Sequence, residues 1–188
     1  MSRLKELTWE HHKEAERQGF VKVILSGKIH PDFYATYLWN QHKKYDLLEA
    51  LAASHGILDD LPDIRRKNKI EQDYLELWKH DSPPPVVPAV NDYIAHMKSL
   101  IDDPHRLTAH LYVMHMGDLS GGQMIVKRIP GSGTMYQFDT DHTELKEAIR
   151  AKTDDSMADE AQTCFTFATR LFQDLMELNC ERYLEHAN

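Results

Sequence analysis

Residues 104–128 constrain this chain more than any other stretch. The run from Pro104 to Arg128 reads as one helix, entered after Pro104 and stopped by Pro130-Gly131. Three glycines, Gly117, Gly121 and Gly122, lie inside it, and each costs a helix about 0.8–1.0 kcal/mol relative to alanine. At about 100° per residue, Gly117, Gly121, Asp118, Gly122, His110 and Met114 share an arc of roughly 140°. The helix therefore offers a nearly bare face with one carboxylate in it. Two readings explain such a face. Small residues let two helix backbones cross closely, or something flat lies against the backbone with Asp118 aimed across it. The glycine pair also invites a kink.

Proline and glycine cut the rest of the chain into helices. Residues 2–17 carry an apolar stripe of Leu4, Leu7, Thr8, His11 and Ala15, with Ser2 as the N-cap and Lys5, His12 and Glu16 on the flank. A short helix over 19–27 ends near Gly27. A long one over 32–55 (Phe33, Tyr37, Leu38, Tyr45, Leu48, Leu51) follows Pro31 and closes at Gly56. Further helices are expected over 64–79, with Ile70, Tyr74, Leu77 and Trp78 as core, and from Pro88 to about 102. Residues 131–140 are the one evident loop. They lead to a short helix over 141–152 and a last one over 157–186 with Phe165, Phe167, Leu171, Phe172, Leu175, Met176 and Leu178 inside. No segment shows strand alternation with turn chemistry, and no period suggests repeats. The fold class is all-α, one domain over 1–188.

The string Gly117-Asp118-Leu119-Ser120-Gly121-Gly122-Gln123, preceded by His110-Leu111-Tyr112, resembles the signature helix of the haem oxygenases, which open haem to biliverdin. Leu4-Lys5-Glu6-Leu7-Thr8-Trp9-Glu10-His11-His12-Lys13-Glu14-Ala15-Glu16 is similar to that family's proximal, haem-ligating helix, and weaker correspondences run to about residue 175. The resemblance implies a haem oxygenase-like domain with haem b, iron protoporphyrin IX, as cofactor and substrate. Periodicity alone buries His11 and leaves His12 at the margin, and a histidine on a core face is commonly only a hydrogen-bonded core residue. The resemblance selects His12 as the iron ligand. Glu16, one turn later, reaches the imidazole nitrogen not bound to iron.

On the other side of the ring, the resemblance gives Asp118 proton delivery through ordered water, Gly117, Gly121 and Gly122 close approach, and Tyr93 a place in the polar network. Lys146 and Arg150 lie one turn apart on one face. Two cations at that spacing suit a pair of carboxylates, although a solvated charged face is the commoner meaning of such a pair; by resemblance they hold the haem propionates, helped by Lys5 and the Tyr112 hydroxyl. Three positions depart from the family pattern: Met114 where an arginine is common, Ala168 where an asparagine is expected, and Lys44 where a tyrosine is often found, with Tyr45 beside it. The network around Asp118 is accordingly expected to be thinner or differently wired, and turnover slower or leakier but not absent.

A formal charge of −8 argues against non-specific nucleic-acid binding, which needs cations against phosphates. Only segments 1–28 and 122–152 carry a mild basic excess, where an anionic ligand or acidic partner would be drawn. Two cysteines, Cys164 and Cys180, sixteen residues apart on one expected helix, stand about 24 Å apart and cannot pair. With no signal-peptide pattern and no apolar run of membrane-spanning length, the expectation is a soluble, cytoplasmic protein. The resemblance implies biliverdin, carbon monoxide and ferrous iron as products. Its partners are then molecular oxygen, ferredoxin or a similar soluble reductant, and a downstream bilin reductase. Two other classes compete. Met114 and Ala168 favour a haem carrier or sensor without turnover. A di-iron or thiol enzyme on a related scaffold is disfavoured, because no two helices place Glu-x-x-His on apolar faces and neither cysteine has an activating neighbour.

Overall fold

The computed structural model describes the backbone of residues 2–184 and the side chains of 2–181. Within them the helices are α1 (Leu4–Leu7), α2 (Trp9–Glu16), α3 (Gly19–Leu25), α4 (Pro31–Ser54), α5 (Lys67–Leu77), α6 (Pro88–Ser99), α7 (Pro104–Leu119), α8 (Gly122–Ile125), α9 (His142–Ala151) and α10 (Ala158–Leu184). No strand occurs among the described residues. The starts follow the capping chemistry of the sequence. Pro31, Pro88 and Pro104 sit in first turns, where their missing N–H costs nothing. Asp103 accepts from the Arg106 N–H at 3.1 Å, and Asp141 from Thr143 and Glu144 at 2.9 and 3.1 Å. Gly27 and Gly56, at φ +71° and +69°, turn the chain after α3 and α4, a backbone geometry that suits glycine.

Several expected boundaries move. The helix expected over 2–17 bends at Thr8, whose hydroxyl donates back to the Leu4 carbonyl at 2.7 Å. Ser2 Oγ does accept the Leu4 N–H, at 3.2 Å. The helix expected over 104–128 is in fact two. Ser120, at φ −114° and ψ −85°, leaves the helical region, and only one short turn, α8, follows. The helix expected over 64–79 is shorter, because Trp78 is extended and its indole N–H donates to the Ser82 carbonyl at 2.9 Å. The loop over 131–140 contains a 3-10 turn at Thr134–Tyr136. The helix expected over 157–186 is described to Leu184; residues 185 and 186 lie outside the described residues.

The two long helices organise the packing. α5, α6 and α7 lie on α4, while α2, α3, α6 and α7 lie on α10. One core joins Tyr34, Leu38, Tyr45 and Leu48 to Val90, Tyr93 and Met97, to Leu107 and Leu111, and to Leu171 and Leu175. A smaller cluster of Leu4, Ala109, Met157 and Ala161, with Tyr112 against it, ties α1 to α7 and α10. The histidine helix and the glycine helix are thus both seated on α10, and α9 packs on α7.

Candidate active site

The bare face of α7 divides in two. A Cβ on Gly117 would meet no atom within 4 Å, and one on Gly121 only the Gly117 carbonyl at 3.8 Å, so both look onto open space. A Cβ on Gly122 would stand 2.4 Å from Cδ1 of the Tyr136 ring. The single glycine arc expected from the sequence is therefore corrected. Gly122 answers a close crossing, while Gly117 and Gly121 leave backbone exposed at the helix break. Gly122 meets a tyrosine ring where a crossing helix was expected, and Gly117 and Gly121 leave room for a flat group.

Tyr136 is fixed from below. The guanidinium of Arg66, fully buried, donates to the carbonyls of Met135 at 3.1 Å, Gln137 at 2.7 Å and Ile64 at 3.2 Å, and lies 3.8 Å from the Phe138 ring centroid. Asp73 accepts the N–H groups of Thr134 and Met135, each at 2.9 Å. Gln123 spans the break, donating to the carbonyls of Asp118 at 3.2 Å and Tyr136 at 2.9 Å. The kink is thus built into the packing.

Beside the open glycines, Asp118 is 6% exposed and accepts from the Tyr45 hydroxyl at 2.7 Å. Burial pushes its carboxyl up to about 7, against the pull of His115, of the Tyr45 bond and of Arg66. Of the two expectations for this network, thinner or differently wired, the structure shows a different wiring. Tyr45 serves Asp118, and Lys44, one residue earlier, is buried elsewhere in the same region with its ammonium 4.7 Å from the Tyr93 ring centroid. Tyr93 does not bond Asp118. Its hydroxyl lies 3.1 Å from His110 Nδ1 and 3.2 Å from Met114 Sδ. His110 Nε2 meets Glu160 at 2.6 Å, and Glu160 also takes His96 and Arg106. These bonds hold the Glu160 carboxyl down to about 2, although burial alone would raise it. The ligand atoms of His96, His110 and Glu160 lie within 4.8 Å of one another, but Arg106 occupies the second carboxylate oxygen at 2.7 Å, and the group reads as an ion-paired latch between α6, α7 and α10.

The heme oxygenase family model matches residues 1–174. The chain belongs to the haem oxygenase family. It is an enzyme that opens haem oxidatively to biliverdin, carbon monoxide and ferrous iron, with haem as both cofactor and substrate. Heme oxygenase 1 of Synechocystis sp. is 29% identical over 203 residues, covering 93% of this chain and 83% of that protein. The structure of the heme oxygenase from Leptospira interrogans aligns at TM-score 0.76 and 27% identity, covering 90% of this chain and 96% of its own. The crystal structure of Synechocystis heme oxygenase-1 in complex with heme aligns at TM-score 0.77 over 99% and 98% of the two chains; at 24% identity it speaks for the fold alone. No helix among the described residues is long and apolar enough to cross a membrane.

On α2, His12 is half-buried, with Glu16 Oε1 2.9 Å from its Nε2. Its ring stacks on Phe165 of α10 at 5.4 Å and meets the Trp9 ring edgewise at 5.5 Å. His11 is also only half-buried; it turns toward α10, lining a cavity of about 340 Å³ with Gln162, Thr166 and Arg170. Among the expected anchors, Lys5 and Arg150 are exposed and Lys146 is half-buried, and none pairs with a carboxylate among the described residues. Arg150 stands close enough to Tyr112 to oppose the upward push of burial on its phenol. The donor set fits haem: an imidazole held at one nitrogen, bare backbone that a Cβ would fill, and cations without anions. Tyr45, Arg66 and Tyr136 are the residues that sequence reasoning missed. Their signal was weak, a tyrosine one place away from the expected slot and an arginine in what read as a helix start.

Proposed function

We propose that haem lies between α2 and the α7–α8 break, bound by His12 on one face and covered by the backbone of Gly117 and Gly121 on the other. The observation that carries this is open backbone at those two glycines beside a buried carboxyl of raised proton affinity. When bound, haem supplies the redox chemistry of iron with oxygen at a ring that is itself consumed. Glu16 orients the imidazole and strengthens it as a donor, and Phe165 walls its ring. Gly117 and Gly121 allow the distal backbone to approach where any side chain would hold the ring away. Asp118, with a proton affinity near neutrality, gives and retakes protons at working pH, and Tyr45 fixes its orientation. Tyr93 joins the polar side through His110. Lys5, Lys146, Arg150 and the Tyr112 hydroxyl neutralise two carboxylates at the exposed edge.

We assign the electrons to ferredoxin or a similar soluble carrier, an acidic partner that suits the mild basic excess of 1–28 and 122–152, and the product to a bilin reductase downstream. The chain works as a single domain over 1–188. The exposed free Cys180 suits a reducing compartment, the cytoplasm. One equivalent of hemin added to the apoprotein should give a saturable Soret band. Reduced ferredoxin in air should then convert that band into biliverdin absorption. A band that persists unchanged in air with reductant would sink the turnover reading, and its absence from the start would sink the placement of haem.

A further inference from the structure

Lys44 is the buried charge that the reading above leaves unused. It is 2% exposed in the middle of α4, at a position where an ordinary core would place a leucine. No carboxylate and no hydrogen-bond acceptor reaches its ammonium among the described residues; its one contact is the Tyr93 ring at 4.7 Å. The groups that feel its charge come from each helix around it: Tyr93 on α6, His110 and Asp118 on α7, and Cys164 on α10. Burial pulls its proton affinity down, as expected for an ammonium without an anion. A chain gains nothing in stability by burying such a group without an anion. The cost is recovered only when negative charge arrives within reach.

On α7 beside Asp118, His115 is buried and faces the Glu49 carboxylate at 3.7 Å. Met114, one turn before Asp118, offers only a thioether, already engaged by the Tyr93 hydroxyl. Arg66 also acts on Asp118 through space, but its guanidinium is committed to carbonyls. We infer that Lys44 is the positioning cation of the distal chamber, stabilising negative charge that builds beside Asp118 on the distal side of the haem. The inference rests on the haem placement proposed above. It assigns the missing cation to α4, reaching in from the helix opposite α7. Lys44 bonds no substrate atom; it acts through the field it adds to Asp118 and to any small anion held there.

The test compares wild type, Lys44→Met and Lys44→Arg as ferric haem complexes titrated with azide, and as ferrous complexes titrated with carbon monoxide, both read from the visible spectrum. Azide carries the charge that Lys44 should favour, and carbon monoxide, being neutral, reports sterics alone. Lys44→Met should weaken azide about tenfold and leave carbon monoxide within about twofold, while Lys44→Arg keeps azide near wild type. In the haem-free protein, Lys44→Met should melt no lower than wild type, because methionine fills the same space without a buried charge. Equal azide affinity in wild type and Lys44→Met, with the Soret band intact, overturns the role of Lys44 and leaves the haem site standing. Parallel loss of azide and carbon monoxide, with a lower melting point, makes Lys44 a packing residue and likewise overturns it. No Soret band in wild type would remove the haem placement itself, and the inference with it.

Discussion

The two walls of the proposed haem site are built to different standards. α7 buries Leu107, Thr108, Ala109, His110, Leu111, Met114, His115, Asp118 and Leu119, whereas α2 buries only Ala15 along its length. The distal break is braced by Tyr136 under Gly122, with Arg66 and Asp73 holding the Tyr136 segment. α2 is held by Leu4 and Thr8 at its entry, by Ala15, by the His12 ring stacked on Phe165 and by Gln162 donating to the Leu7 carbonyl at 2.8 Å, with solvent-exposed pairs such as Lys13 with Glu10 at 2.8 Å beside them. Such pairs contribute roughly 0–1 kcal/mol each. The wall that must discriminate atoms of the ring is rigid before haem arrives. On the proposed placement, haem bound at His12 would add stability to α2, the less buried wall.

The largest test of that rigidity is charge at Asp118. Its carboxyl titrates at about 7 in the folded protein, raised by burial from an ordinary carboxylate value. Between about pH 4 and 7 the native protein keeps this proton while the unfolded chain has released it, so stability falls as pH rises through that window. The full penalty, present above pH 7, is on the order of 4 kcal/mol at most. Asp118→Asn should therefore melt several degrees above wild type at pH 8, and the two should converge only as the pH falls below about 4, where the unfolded carboxyl is protonated as well. A difference that is the same at both pH values would mean that Asp118 is not held in the dry, braced wall described here.

Next in size is Gly122→Ala. Its Cβ would enter the Tyr136 ring, which cannot retreat while Arg66 and Asp73 hold its segment, and urea unfolding should show a loss of about 1–3 kcal/mol. Gly117→Ala is the contrast. With nothing near its Cβ it should leave the apoprotein unchanged or stabilise it by up to about 1 kcal/mol through helix propensity, yet weaken hemin binding. If both glycines behave alike in the apoprotein, the division of the bare face into packed and open halves is wrong.

How far the sequence foretold this arrangement follows from how local each cause is. Helix starts at Pro31, Pro88 and Pro104 and the turns at Gly27 and Gly56 were legible because their causes lie within a few residues. His12 and Asp118, the pair proposed to face haem, were selected through motif resemblance; periodicity by itself preferred His11. The break after Leu119 was suggested by two adjacent glycines, but its position depends on Tyr136, fourteen residues beyond Gly122 and held by Arg66, the residue that precedes α5. The pairing of Tyr45 with Asp118 joins residues 73 apart, and a one-residue offset on a helix, about 100° of rotation, decided between Lys44 and Tyr45. Non-local partners of that kind leave no pattern in a single sequence.

The smallest expected effect tests the looser wall. Glu16 is exposed, and its bond to His12 Nε2 at 2.9 Å spans one helical turn. In the apoprotein, Glu16→Gln should change stability by no more than about 0.5 kcal/mol, because an exposed pair of this spacing loses most of its attraction to solvent. The same change should be visible once haem is bound, since a carboxylate on the free imidazole nitrogen makes the histidine a stronger donor and an amide does not. The midpoint potential of the haem complex should rise in Glu16→Gln, measured by spectroelectrochemical titration, with the apoprotein melting curve nearly superimposed on wild type. A melting point lowered by several degrees, with the potential unmoved, would show that this pair holds α2 in place before haem binds, and the two walls would then differ less than their burial implies.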